Sequence, residues 1–272
     1  MKKTVLFASI FLFLFSVSVE GQYSVNVPVG KKIHSVNNII STITQTAMGQ
    51  EIEIKSDVTI TMDANIIQST PDIILSIKIG RVRLKSEAMG NVNEFDSDKS
   101  EDKSGPLGQL LSSVFNNSID IGMTATGKVN KAIKSSDPAL ETAKSTLGNF
   151  DEFVSEMLFP VKVDIKPGDS WIDDNTTDVD NKRVSEYKVV SSENGETTLT
   201  FKGTSVMKAN KSVQGMDAVV TSSSSFSGVM TVDIKSGVLK TKKTIIEQKG
   251  TTEVMGQSIP FTSKQITSTV NN

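Results

Sequence analysis

From Ile52 the chain alternates. Ile52, Ile54, Ser56, Val58, Ile60, Met62, Ala64 and Ile66 occupy even positions, with Glu53, Lys55, Asp57, Thr59, Thr61, Asp63 and Asn65 between them. That spacing predicts a long strand with one dry and one wet face. The next segment carries its apolar residues on odd positions, Ile73, Leu75, Ile77 and Ile79, then moves to even ones at Val82 and Leu84. The phase changes at Gly80, where a β-bulge lets both halves face the same core. Ile119, Ile121, Met123, Ala125, Gly127 and Val129 read as a further strand. So do Leu199, Phe201, Gly203 and Met207, and the series Val220 to Ile234, with Leu239, Ile245, Ile259 and Phe261 continuing to the C-terminus. Turn residues separate these runs: Asn194-Gly195, Ser236-Gly237, and the recurring Met48-Gly49, Met89-Gly90 and Met255-Gly256. The pattern is that of successive antiparallel hairpins.

Two segments break the alternation. Pro106 opens a helix with Leu107, Leu110, Leu111, Val114 and Phe115 on one side. Asp137-Pro138 opens a second, with Leu140, Ala143, Leu147, Phe150, Val154 and Met157 as its stripe. One-sided helices need an apolar partner, and the dry face of the sheet supplies it. Strands of about fifteen residues reach roughly 50 Å at ~3.3 Å per residue and cannot stay flat. The expected fold is therefore mainly β with two helices: a long curved antiparallel sheet, a half-barrel, wrapped around the helices.

After the second helix comes Phe159-Pro-Val-Lys-Val-Asp-Ile-Lys-Pro-Gly-Asp-Ser-Trp171. Pro160 stops the helix, Val161, Val163 and Ile165 alternate as a short strand, and Pro167-Gly168 fits a type II turn that Asp169 can bond back to. Trp171 is expected as an apolar plug pinning this corner.

The N-terminus sets location. Lys2 and Lys3 precede an apolar run from Val5 to Phe15, too short to span a bilayer. Residues 1–21 read as a signal peptide, with Val19 and Gly21 before the cleavage, and 22–272 as one β-rich domain of an exported protein, periplasmic or secreted. No second long apolar run follows, so no transmembrane segment is expected in the mature chain. With 29 basic and 31 acidic residues and a net charge of −2 there is no electrostatic footprint for nucleic acid. The chain has no Cys, which excludes lipidation, disulfides and thiolate sites.

Those segments carry a resemblance. Phe159 to Trp171, Glu94 to Asp102 ("EFDSDKSED") and Gly127 to Val129 after a leucine-rich helix resemble the layout of a domain family of unknown function in bacterial secreted proteins and lipoproteins, over nearly the whole mature chain. The family is similar in architecture to lipoprotein-carrier half-barrels. The resemblance implies binding of an apolar guest and no catalytic residues, and the missing Cys sets this chain apart from the lipidated members.

Chemistry is sparse. His34 is the one His, so two-His metal sites are excluded, and no Gly-x-Ser-x-Gly elbow accompanies it. Asp96, Asp98, Ser100 and Asp102 have the alternate spacing of a calcium loop, but Glu101 replaces the turn glycine and Leu107 the distal acid. Asp173, Asp174, Asp178 and Asp180 form a second acidic group. Both read as solvated loops, without metal or cofactor, and no enzyme activity is expected. Two readings remain open. An apolar-ligand or lipid carrier would line a cavity with Phe115, Phe153, Met157, Phe201, Phe226 and Met230; a structural or protein-interaction module of the cell envelope would fill that space with side chains. The small residues beside them, Gly203 and Gly228, leave room either for closely approaching helices or for a guest.

Overall fold

The structure, a computed structural model, describes residues 23–47, 49–130, 150–162, 164–175, 180–213 and 216–272. Residues 1–21, read as a signal peptide, and the first part of the expected second helix lie outside these. In chain order the elements are β1 (Lys32–Ala47), β2 (Gln50–Gln68), β3 (Ile73–Ala88), β4 (Asn91–Asp96), α1 (Ser100–Ser104), α2 (Pro106–Asn116), β5 (Ile119–Met123), β6 (Val129–Asn130), α3 (Phe150–Ser155), β7 (Ser170–Asp174), β8 (Lys182–Glu193), β9 (Glu196–Val213), β10 (Met216–Asp233), β11 (Leu239–Val254) and β12 (Gln257–Asn271).

All the strands join one antiparallel sheet in the order β6-β5-β3-β2-β1-β12-β11-β10-β9-β8-β7, with β4 branching from β3. The sheet does not close into a barrel, and the expected half-barrel with helices on its inner face is what forms. β1 and β12 pair along most of their length, from Ser35 opposite Asn271 to Gln45 opposite Phe261. They join an N-terminal wing, β1 to β6 with the helices, to a C-terminal wing, β7 to β12. Among the described residues no helix is long and apolar enough to cross a membrane.

The alternation sets the faces as expected. Ile60, Met62, Ala64 and Ile66 on β2, and Ile73, Leu75, Ile77, Ile79 and Val82 on β3, are all buried. Thr61 pairs with Arg81 and Met62 with Ile79, so Gly80 is the extra residue of a bulge. In α2, Leu111 and Val114 are buried against this face, with Leu107 and Phe115 packed beside them. The hairpin turns take positive φ at Met89-Gly90, Asn194-Gly195 and Met255-Gly256.

The single strand expected across Ile119 to Val129 is instead a hairpin, β5 and β6. Gly127 has φ +90°, Thr124 Oγ1 accepts the Lys128 N–H at 3.0 Å, and a Cβ on Gly127 would meet Pro160 at 2.7 Å. The run Val161 to Ile165 is not a strand: Val161 makes an isolated bridge to Ser24, and Val163 lies outside the described residues. The turn that follows is as expected. Asp169 N–H donates to Lys166 O at 3.0 Å, Gly168 has φ +95°, and Lys166 N–H donates to Asp169 Oδ2 at 2.9 Å.

Apolar side chains form two clusters, one per wing. The first gathers β2, β3, β5, α2 and the Phe153 to Leu158 stretch. The second gathers Val161, Ile165, Val189, Leu199, Phe201, Phe226, Met230, Val232 and Leu239.

Candidate functional site

The six residues expected to line a ligand cavity are divided between these clusters. Phe115, Phe153 and Met157 belong to the first; Phe201, Phe226 and Met230 belong to the second. Except for half-buried Phe115 they are under a tenth exposed. The aromatic members continue a ladder. Trp171 stacks on Tyr187 at 5.1 Å between ring centres and meets Tyr23 at 5.1 Å, Tyr187 meets Phe201 at 6.1 Å, and Phe201 meets Phe226 at 6.5 Å. The Arg183 guanidinium caps the Phe226 ring at 4.7 Å. Burial among these rings raises the pKa of the Tyr187 hydroxyl. Trp171 itself is half-buried, a wall of the corner rather than a deep plug.

The small residues beside them have a use that the sequence reading did not consider. A Cβ on Gly228 would stand 2.5 Å from Cζ of Phe201 and 2.2 Å from the Lys243 carbonyl oxygen. One on Gly203 would stand 2.4 Å from Cζ of Phe226, and one on Gly250 2.9 Å from Cζ of Phe261. Each glycine seats a ring from a neighbouring strand, the arrangement by which aromatics cover glycine in sheets. The gaps are filled by side chains of the sheet itself.

Between the clusters runs a polar seam. β1, β11 and β12 turn Ser35, Asn37, Lys242, Thr269 and Asn271 inward, and Glu156, just after α3, meets them. Lys242 pairs with Glu156. Thr269 Oγ1 lies 2.8 Å from Glu156 Oε2 and 2.6 Å from Asn37 Oδ1. Asn271 Nδ2 donates to the Glu156 and Leu239 carbonyls at 2.8 and 3.0 Å. Sequence reading missed this seam because it assigned no strand before Ile52. The visible signal was the alternation Ile33, Ser35, Asn37, Ile39, a strand whose inner face is partly polar.

The outer face of the C-terminal wing is concave in three places. A concavity of about 820 Å³ crosses five strands between Thr42 and Thr44 of β1 and Thr204 to Val206 of β9, with Ser223, Ser225, Glu247, Lys249, Thr262 and Lys264 on its floor. A second, of about 700 Å³, shares Thr204, Ser225, Glu247 and Lys264 with it and reaches Ile172 on β7. A third, of about 690 Å³, shares Glu186, Lys202, Ser227 and Ile245 with the second. Together they make one groove. Two of its lysines are paired across strands, Lys202 with Glu186 at 3.2 Å and Lys264 with Glu247 at 3.5 Å, and Lys188, Lys243 and Lys249 line it as well. Exposed Val206, Val229, Ile245 and Ile172 add aliphatic patches. Such a floor can offer hydroxyl hydrogen bonds and apolar contact.

The Asp96 to Asp102 group is occupied by the protein's own cations and amides, and in the second group Asp173 Oδ2 accepts the Asn175 amide at 2.9 Å. Arg81 holds Asp96 with two bonds, 3.1 and 2.6 Å, and reaches Asp98 at 2.9 Å. Asp102 Oδ2 accepts the Asp96 N–H at 2.7 Å, in a loop whose second half is helix α1. The Arg81 bond, helped by the Asp98 N–H, lowers the Asp96 pKa to about 2. Asp173 and Asp174 lie in β7, while Asp178 is outside the described residues. His34 pairs with Asp63 across β1 and β2 at 2.8 Å on the exposed face. Among the described residues no three His, Cys, Asp or Glu side chains are grouped to hold a metal ion.

Residues 70–159 match the model of a family of unknown function (DUF6263). The match spans β3 to the end of α3 and the residues just after it, a minority of the chain. It takes in Glu94 to Asp102 and Gly127 to Val129, but only Phe159 of the Phe159 to Trp171 corner, so it is narrower than the resemblance read from the sequence. No curated protein matches the chain. Among solved structures, an outer membrane channel from Pseudomonas putida F1 overlaps 93% of this chain and 98% of its own at 10% identity, with a TM-score of 0.22. At that score the overlap is no basis for a shared fold.

Proposed function

We propose that the chain is a non-enzymatic exported protein that binds a protein partner on the outer face of its C-terminal wing, an interaction module of the cell envelope with a filled core. The observation that carries this reading is the groove across β7 to β12 and β1, lined by hydroxyls, paired charges and exposed aliphatic side chains. The ring-filled glycines support it from the other side, because they remove the space that a guest beside Phe201 and Phe226 would need. Export rests on the N-terminal sequence.

An apolar ligand has one specific observation in its favour. The apolar rows of the inner face run past both clusters, through half-buried Ile39, Ile43, Ile54 and Phe261. A lipid-like guest would lie there, away from the six residues first expected to hold it.

A photo-crosslinking residue placed at Ser225 on the groove floor should capture an envelope protein, and one at Lys78 on the outer face of β3 should not. Native mass spectrometry without detergent should show the bare chain. Failure of the Ser225 probe to capture any protein would overturn the groove reading. Retained lipid that Ser41→Phe on the inner face displaces would replace it with the carrier.

A further inference from the structure

The Met-Gly turns are not neutral choices. In a two-residue hairpin turn with positive φ at both positions, Asn, Asp and Gly are the comfortable first residues. The chain uses Asn194-Gly195 for this purpose between β8 and β9, with φ +53° and +80°. Yet the β3–β4 and β11–β12 turns place Met89 at φ +53° and Met255 at φ +50°. A methionine in the left-handed region is strained by its Cβ, and neither side chain recovers that cost by packing: Met89 is 71% exposed and Met255 83%. Strain kept without a packing return points to a use outside the fold.

Topology gives both tips one address. β1 is antiparallel to β2 and β12, and β3 to β2, so the β3–β4 and β11–β12 turns project from the same end of the sheet, while Asn194-Gly195 projects from the other. Ala88 pairs level with Ile54, below the start of β2 at Gln50, whereas β12 runs on above its last partner in β1, Gln45 opposite Phe261. The tips therefore climb steadily across the sheet. That is the stagger of tilted strands, which levels their ends against a plane normal to the barrel axis.

We propose that this end of the half-barrel rests on a lipid surface, with Met89 and Met255 inserted among zwitterionic headgroups. A plane asks only that the tips be level, apolar and separately mobile, and a thioether side chain is flexible and adaptable. Charge selects the lipid. Glu87 and Glu253, each two residues before its methionine, are exposed and disfavour an anionic layer.

The full exported chain, mixed with phosphatidylcholine vesicles and floated on a density gradient, should partition weakly and reversibly. Adding phosphatidylglycerol should not strengthen the partition. Met89→Asn with Met255→Asn should reduce it by at least about tenfold, the loss expected when apolar side chains no longer leave water, while the melting temperature stays equal or rises because Asn suits the turn. Three results would each overturn the proposal: a wild-type chain that does not float, an Asn variant that floats as well as wild type, or an Asn variant that melts lower, which would make the methionines structural. Self-association without vesicles that the Asn variant abolishes would assign the tips to a second copy of the chain instead.

Discussion

Arg81 is the principal cation of the acidic loop, with Arg83 3.6 Å from Asp96 behind it. Arg81 stands beside the Gly80 bulge, paired in the ladder with Thr61, and its guanidinium reaches Asp96 and Asp98 two positions along β3 from Arg83, the ladder partner of Asp96. The charge-assisted bonds favour the ionised carboxylate, and the pKa of Asp96 falls to about 2. A carboxyl whose folded pKa is depressed stabilises the fold fully above its unfolded value near ~4, and the contribution disappears as pH falls through about 2. The melting temperature of Asp96→Asn should therefore lie below that of wild type at neutral pH. The two should converge between about pH 4 and pH 2. A gap that persists unchanged at pH 2 would mean that Arg81 does not stabilise the Asp96 charge.

At the scale of elements, the corner after α3 is held by rings. Phe159 meets Tyr187 at 5.2 Å, Trp171 stacks on the same ring at 5.1 Å, and the type II turn at Pro167-Gly168 leads β7 into that contact. Trp171→Ala should cost about 3 kcal/mol, the lower end for removing a large aromatic because the indole is half-buried. Chemical denaturation followed by circular dichroism would measure it, and an unchanged midpoint would make the ring a surface feature. This corner, the Gly80 bulge, helix α2 and the long strands were legible in the sequence because each rests on local rules: a period of two or 3.6, or a turn residue with one suitable conformation. Other features were not. The Ile119 to Val129 hairpin turns on a glycine packed against distant Pro160, and the seating of Phe201 over Gly228 depends on a register that no single strand encodes.

For the whole molecule the decisive fact is how little apolar packing crosses the centre of the sheet. β12 contributes nothing to either apolar cluster, β1 only Ile33, and the first cluster reaches the C-terminal wing only through Val238, so the wings are joined by the β1–β12 ladder, the seam around Glu156 and the Leu158–Val238 bridge beside it. In that seam Lys242 and Glu156 keep only 15% and 18% of their side-chain exposure. Removing one member of such a pair leaves the other charge poorly solvated, which costs about 3 kcal/mol or more, whereas exchanging both for apolar groups can be close to neutral. Lys242→Ala should thus destabilise more than Lys242→Met combined with Glu156→Leu. Because Glu156 also bonds Thr269, and its carbonyl bonds Asn271, the single variant should loosen the junction more than either cluster. Two cores that lose their common clamp can melt separately. Scanning calorimetry of wild type should give one transition whose calorimetric and van't Hoff enthalpies agree. Lys242→Ala combined with Asn271→Ala should broaden or split it, with the calorimetric enthalpy exceeding the van't Hoff value. A single cooperative transition in that double variant would show that the β1–β12 ladder and the Leu158–Val238 bridge hold the two wings as one folding unit without the seam.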